Sequence, residues 1–270
     1  MGDAADLFSL KGRKALITGG AGLLGVRHAE AIAEMGGTPV LLDLPSEALA
    51  VKAKEIAGRF GVEAFDVAAD ITKPEEVQGA ISTVLARCGG IDILVNNAAM
   101  TGKGQAPDQL YAPFEKYPLN LWQQALDVNL TGAFLVTQRV GSAMRARGKG
   151  GVVINIASDL ALISPDHRIY EGQPFNSPIA YTTTKAAILG FTRYLATYWA
   201  GDRIRVNALC PAGVFDDHDS AFVQRLTSLI PLGRMAHKDE YKGAIIFLAS
   251  DASRFMTGTA LVMDGGRTAW

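Results

Sequence analysis

The chain has 270 residues, 49% of them hydrophobic and 20% charged, which is enough to bury a large core in one domain and too apolar for long disorder. Its formal net charge of −1 leaves no basic excess to neutralise a phosphate backbone or coat an anionic bilayer, so neither nucleic acid nor a membrane is an expected partner. No run of about 18 apolar residues occurs, which excludes a membrane-spanning helix.

Short β-rich runs alternate with helix-length amphipathic stretches, the pattern of an α/β chain with a parallel sheet covered by helices on both faces. The first strand, Ala15–Thr18, runs into Thr18-Gly19-Gly20-Ala21-Gly22-Leu23-Leu24-Gly25 and then into a helix from Leu24 to Met35 closed by Gly36-Gly37. Strand, glycine loop and helix in that order make a cradle where a pyrophosphate approaches the backbone and meets the positive end of a helix. The second strand, Pro39–Leu42, ends at Asp43, 18 residues beyond Gly25 and close to the spacing of an acid that holds the adenosine ribose. A carboxylate there repels a 2′-phosphate, and neither residues 20 to 24 nor Leu44 offers a cation. NAD is therefore expected rather than NADP.

A third strand, Glu63–Val67, leads to Asp70 and Ile71. Asp70 reads equally well as an acceptor for the adenine amine or as a helix cap, while Thr72-x-x-Glu75 reads as a capping box. A helix over Pro74–Cys88, closed by Gly89-Gly90, is followed by a strand at Ile91–Asn96 and by Met100–Pro118, an irregular stretch without a clear period. Next come a helical stretch Trp122–Met144, a strand Gly151–Ala157 and a second irregular stretch, Asp159–Pro178. The long helix Ile179–Ala200 carries Ile188, Leu189, Phe191, Leu195 and Trp199 on an apolar face broader than one sheet contact requires. Strands Ile204–Leu209 and Ala260–Met263 complete about seven strands and six helices, read as one domain over residues 1–270. Both irregular stretches follow the C-terminal end of a strand, where open α/β sheets place their ligands, so 100–118 and 159–178 are expected to be substrate loops.

Together with the glycine loop, Asn96-Asn97-Ala98-Ala99, Asn129, Ser158 and Tyr181-Thr182-Thr183-Thr184-Lys185 resemble the short-chain dehydrogenase/reductase family, and the resemblance runs from about Leu10 to Gly266. Ile204-Arg205-Val206-Asn207-Ala208-Leu209-Cys210-Pro211 looks like that family's strand and proline turn at the nicotinamide end, and Asp264-Gly265-Gly266 like its closing turn. The resemblance implies a doubly wound Rossmann-type fold and a catalytic set of Tyr181, Lys185, Ser158 and Asn129. It implies cofactor contacts from Gly19, Gly22, Leu24, Gly25, Asp43, Asp70, Ile71, Asn97, Ala98, Tyr181, Lys185, Pro211 and Val214, and a homodimer or homotetramer. Tyr194-Leu195-Ala196-Thr197-Tyr198-Trp199, Pro231-Leu232-Gly233-Arg234-Met235 and Gly266-Arg267-Thr268-Ala269-Trp270 are similar to members acting in bacterial surface-sugar and flagellin-glycan biosynthesis.

Three features depart from the family pattern. Leu23 stands where a small residue is usual, and the spacing Gly19-x-x-Gly22-x-x-Gly25 is similar to the longer nucleotide-sugar epimerases and dehydratases. After Pro211, Ala212 replaces a glycine and Asp216 a hydroxyl residue, so this loop either turns from the pyrophosphate or faces substrate. Ser158 precedes Tyr181 by 23 residues, a longer gap than the family norm.

A free phenol ionises near 10, so Tyr181 needs a nearby cation to act as a base, and Lys185 lies one helical turn away on the same face. The expected chemistry has Ser158 holding the substrate oxygen, Tyr181 exchanging its proton, and hydride passing between carbon and nicotinamide, with Asn129 holding a water that links Lys185 to solvent. The polar set Asp159, Asp166, His167, Arg168, Tyr170, Glu171, Gln173 and Asn176 suits a sugar-derived substrate. Asp159, His167 and Arg168 are the candidate contacts, the last two for a phosphate or carboxylate. Asp216-Asp217-His218-Asp219 is not read as a metal site, because the chemistry needs no Lewis acid. The alternatives are an epimerase or dehydratase that recycles its NAD and a non-catalytic NAD-binding regulator. Cys88 and Cys210 show no metal spacing, and Met1-Gly2-Asp3-Ala4-Ala5-Asp6-Leu7 has no secretory pattern and no Ser or Thr for myristoylation, which points to the cytoplasm. Trp270 is expected to dock against its own body or a neighbouring subunit.

Overall fold

The computed structural model describes residues 3–101, 107–171 and 176–270. Met1, Gly2, Gln173 and part of each expected substrate loop lie outside these residues. Seven strands form one parallel sheet: β1 (Lys14–Thr18), β2 (Thr38–Asp43), β3 (Phe65–Ala68), β4 (Ile93–Asn96), β5 (Gly151–Ile156), β6 (Ile204–Pro211) and β7 (Ala260–Met263). Their order is β3-β2-β1-β4-β5-β6-β7, so the chain reverses direction across the sheet between β1 and β4. That reversal opens a crevice at the carboxyl ends of the strands.

Strand periodicity decides which helices lie on which face. Ala15, Ile17, Leu41, Ile93 and Ile154 point to one side, where they pack with Ala29 and Ile32 of α1 (Leu23–Glu34), Leu49 and Ile56 of α2 (Glu47–Phe60) and the far-downstream Ile245 and Leu248. Leu16, Val40, Leu42, Leu94 and Val153 point to the other, against Val77, Ile81 and Val84 of α3 (Pro74–Cys88) and against Val136, Val140, Leu195 and Trp199. After a single turn, α4 (Pro107–Leu110), the remaining helices are α5 (Leu119–Leu126), α6 (Ala133–Arg147), α7 (Ile179–Tyr198), α8 (Ser220–Thr227) and α9 (Lys242–Ala249).

All seven expected strands form. The third and fourth start two residues late, because the ladder to β2 begins at Phe65 and the ladder to β1 at Ile93. The stretch expected as one helix, Trp122–Met144, is α5 and α6 joined by a π-helical turn at Asp127–Gly132. Such a turn adds a residue and redirects the side chains beside it, and here it carries Asn129. The expected capping box at Thr72 is absent. Lys73 is the N-cap of α3, Thr72 donates to Asp70, and Glu76 reaches back 2.8 Å to the Asp70 N–H. The acid that reaches back is thus Glu76 rather than Glu75, and the amide it meets is that of Asp70, not that of the cap.

Candidate active site

The carboxyl ends of the strands open into a cleft of about 970 Å³, near the upper end of the ~300–1,000 Å³ usual for small-molecule sites. Its first half is built by the turns after β1 to β4: Gly19, Gly22 and Leu24, then Asp43, then Asp70 and Ile71, then Asn97 and Ala98. Gly19 has φ +62, and a Cβ there would lie 2.8 Å from the Ala98 Cα. A Cβ on Gly25 would overlap the Gly19 carbonyl, so α1 can seat on the loop only with glycine at both positions. Gly25 itself does not line the cleft; it sets the height of the loop. Gly25→Ala is therefore expected to lower the thermal midpoint by several degrees, since overpacking costs roughly 1–3 kcal/mol, and to weaken dinucleotide binding with it. A calorimetric midpoint matching the parent would contradict this packing.

Side chains then fix the loop. Asn97 donates through Nδ2 to the carbonyls of Thr18 (3.0 Å) and Gly19 (3.1 Å), while Thr18 Oγ1 accepts from the Asn97 and Ala98 amides. The Asp43 carboxylate accepts from the Ala21 amide at 2.9 Å and from Leu44 at 2.8 Å. No side chain caps α1, whose N-cap is Gly22, so its first-turn amides are left for an anion. A glycine cradle, an uncapped helix and a strand-end carboxylate fit a dinucleotide. Asp70 lines the cleft while accepting from the Thr72 amide and hydroxyl, so one carboxylate serves the turn and faces the adenosine end.

The second half lies at the ends of β5, β6 and β7. Ser158 follows β5, and Tyr181 and Lys185 occupy successive turns of α7, all lining the cleft with Pro211 and Val214. Lys185 donates 2.7 Å to the Ile156 carbonyl, and its Nζ stands 5.6 Å from the centre of the Tyr181 ring. Burial pushes the Tyr181 phenol up to about 12; a hydrogen bond with Ser158 works against this and the Asp159 charge adds to it. Burial drives Lys185 down to about 8. Desolvation thus outweighs the stabilisation of the phenolate expected from the sequence.

Asn129 does not line the cleft. Its Oδ1 accepts from the Met100 amide at 2.6 Å, and its Nδ2 donates to Thr184 Oγ1 at 3.0 Å, which in turn donates to the Tyr181 carbonyl. The π-helical turn thereby ties the end of β4 to the first turns of α7. A buried amide relay behind it runs from Asn96 to Thr137 and Asn155, and from Asn155 to Thr192.

Two expected substrate contacts lie elsewhere. Arg168 is 84% exposed and clamps its own neighbour Asp166, whose carboxyl it holds down at about 2. His167 pairs with Asn176 at 2.9 Å, and neither His167 nor Arg168 lines the cleft. Two residues apart on one tight turn, an acid and an arginine satisfy each other before any ligand arrives. Asp159 does line the cleft, but it is also ion-paired with Arg267. Asp216 faces the cleft, its amide donating to His218 Nδ1. Trp270 donates its indole N–H to the Leu229 carbonyl at 3.2 Å while the ring stays 77% exposed, so the tail is anchored by Arg267 rather than by the tryptophan.

The sequence reading missed Arg267, Tyr111, Phe222 and Met235 as cleft residues. Only the placement of β7 beside β6 brings Arg267 to Asp159, and no local spacing signals it. Phe222 forms an aromatic wall with Tyr170 and His218, at ring separations of 5.8 Å from each.

Residues 21–268 match the family model described as Enoyl-(Acyl carrier protein) reductase. The chain is 35% identical over 266 residues to a D-threitol dehydrogenase of Mycolicibacterium smegmatis, covering 97% of this chain and 95% of that one. An NAD-dependent glycerol dehydrogenase of Listeria innocua is 32% identical over 266 residues, covering 97% and 96%. The structure of a gluconate 5-dehydrogenase from Burkholderia cenocepacia in complex with NADP and tartrate superposes with a TM-score of 0.88 at 35% identity, over 99% of this chain and 100% of that one.

Proposed function

The chain belongs to the short-chain dehydrogenase/reductase family and is an oxidoreductase acting on CH–OH groups, and from that premise we propose that it moves a hydride between NAD and a secondary alcohol or ketone of a small polyol or sugar derivative. The observation that carries this reading is the convergence of Ser158, Tyr181 and Lys185 at one end of a cleft whose other end is the glycine cradle and Asp43. The nicotinamide supplies the hydride acceptor or donor. Tyr181 takes the hydroxyl proton of the alcohol, or returns it to the ketone. Lys185, held by the Ile156 carbonyl, places a positive charge beside the ring, and Ser158 fixes the substrate oxygen. Asn129 positions this end of α7 through Thr184.

The cofactor preference rests on where charges stand. Asp43 and Asp70 line the adenosine end after β2 and β3, whereas the lysine and arginine that line the cleft among the described residues, Lys185 and Arg267, stand at the β5–β7 end. A 2′-phosphate would meet carboxylates. Polyol chemistry fits the polar groups around the reacting end, Asp159, Asn176, Ser177, Asp216 and His218, beside an aromatic wall that suits the C–H face of a sugar, and it agrees with the threitol and glycerol dehydrogenases among the relatives. The loops over 100–118 and 159–178 contribute Thr101, Tyr111, Ile169 and Tyr170 to the cleft and would cover the substrate.

Tyr194 and Tyr198 stack in solvent on α7, and Phe134 is exposed on α6, an apolar surface suited to homodimer or homotetramer formation. Both cysteines are free thiols, and no helix among the described residues is long and apolar enough to cross a membrane. The reading is tested by following NADH with purified protein on D-threitol, glycerol, D-gluconate and nucleotide-linked sugars. Net NADH is expected with a polyol or sugar acid, faster with NAD than with NADP. Conversion of a nucleotide sugar without net NADH would instead identify a recycling enzyme.

A further inference from the structure

Arg267 and Asp159 are 108 residues apart in sequence and form an ion pair of 2.7 Å, with side-chain exposures of 7% and 3%. The pair is built into the cleft by a rigid turn. After β7 the Asp264 carboxylate accepts from the Gly266 amide at 2.9 Å and the Thr268 amide at 2.7 Å, and Gly266 takes φ +90. This directs Arg267 inward onto Asp159, the neighbour of Ser158. A buried ion pair is a weak source of stability, because desolvating both charges offsets their attraction, but losing one partner strands the other charge.

Ser158 has one hydroxyl hydrogen to donate. Asp159 Oδ1, 2.8 Å away and also accepting from the Leu160 amide, takes it in competition with the Tyr181 oxygen. Arg267 holds the other carboxylate oxygen. The hydroxyl that should hold the substrate oxygen therefore also has a carboxylate acceptor beside it, and the negative charge of that carboxylate opposes ionisation of Tyr181.

We propose that Arg267 is a positioning residue for the reacting centre: by neutralising Asp159 it weakens the carboxylate's hold on the Ser158 hydroxyl and lifts the negative field from Tyr181. This rests on Tyr181 and Ser158 acting as described above. The other ionisable groups that face this cluster among the described residues are Lys185 on α7, Cys210 on β6, Asp166 and Tyr170 on the loop after β5, Tyr241 before α9 and Asp264 on the turn itself; Asp166 is itself clamped by Arg168.

The test uses Arg267→Met, Arg267→Lys, Asp159→Asn and the double variant Asp159→Asn/Arg267→Met, with kcat, KM and NAD affinity measured across pH on the active polyol. Arg267→Met is expected to move the limb that reports Tyr181 ionisation up by about one pH unit, which is a tenfold loss of phenolate at fixed pH. NAD affinity should hold. Arg267→Lys should keep the limb near its original place, the double variant should return it there, and Asp159→Asn alone, with Arg267 kept, should lower it below the parent's. The same ordering is read without turnover from ultraviolet titration of the phenol in the presence of NAD, each variant minus its Tyr181→Phe counterpart. A limb unmoved by Arg267→Met, or equally displaced in the double variant, overturns the proposal. If Arg267→Met does not fold, an unmoved limb in Asp159→Asn does so. Normal turnover in Tyr181→Phe alone would instead overturn the assignment of the base and leave the phenol titration to judge Arg267.

Discussion

Tyr181→Phe is expected to lower kcat/KM by about 10²–10⁴-fold, the range for loss of a positioned acid–base group, while NAD binding stays within about twofold of the parent. The substitution removes one oxygen and leaves the ring against Lys185. The fall should appear in kcat rather than KM, because the lost interaction is made only as the proton moves. Fluorescence titration with NADH and steady-state kinetics on the active polyol separate the two effects. Turnover within tenfold of the parent would assign the proton transfer to another group.

The same site fixes the direction of the pH dependence. With Tyr181 as the proposed base, alcohol oxidation needs its ionised form, and burial has pushed this phenol up to about 12, so the oxidative rate should climb with pH through the neutral range. Lys185, driven down to about 8 by burial, loses its charge in the alkaline range, and with it the field that favours the phenolate. The oxidative profile should therefore rise, then flatten or fall above about 8, and ketone reduction, which consumes the phenol proton, should favour lower pH.

Local rules carried most of the fold. A strand of four apolar residues followed by glycines and a helix leaves little choice, and all seven strands and the glycine cradle were readable from it. Tyr181 and Lys185 were readable because four residues on a helix is a distance as well as a spacing. What could not be read was set by contacts distant in sequence or by competition within a turn. Arg168 has the right chemistry for an anion, yet Asp166 two residues away claims it. Arg267 sits in a terminal segment whose spacing does not signal its partner, and reaches Asp159 only because β7 pairs with β6. The π-helical turn at Asn129 leaves no mark in the apolar periodicity, since one added residue within a long helix shifts the face without interrupting it.

Cofactor choice should reverse when the charge after β2 is reversed. In Asp43→Ala/Leu44→Arg the ratio of kcat/KM for NAD over NADP is expected to fall by about 10³-fold or more. A carboxylate about 4 Å from a phosphate at an effective dielectric near 20 opposes binding by about 4 kcal/mol for each unit charge, roughly three decades. Removing that opposition and adding a bidentate cation act in the same direction. Asp43 also holds the Ala21 amide at 2.9 Å, so the alanine alone loosens the glycine loop and should weaken both cofactors. Asp43→Asn separates the two roles: its amide oxygen can still accept from Ala21, while the charge is gone. If Asp43 selects by charge, Asp43→Asn gains on NADP with little loss of thermal stability. If its main role is to brace the loop, Asp43→Asn keeps the parent's preference and only the alanine variant loses binding.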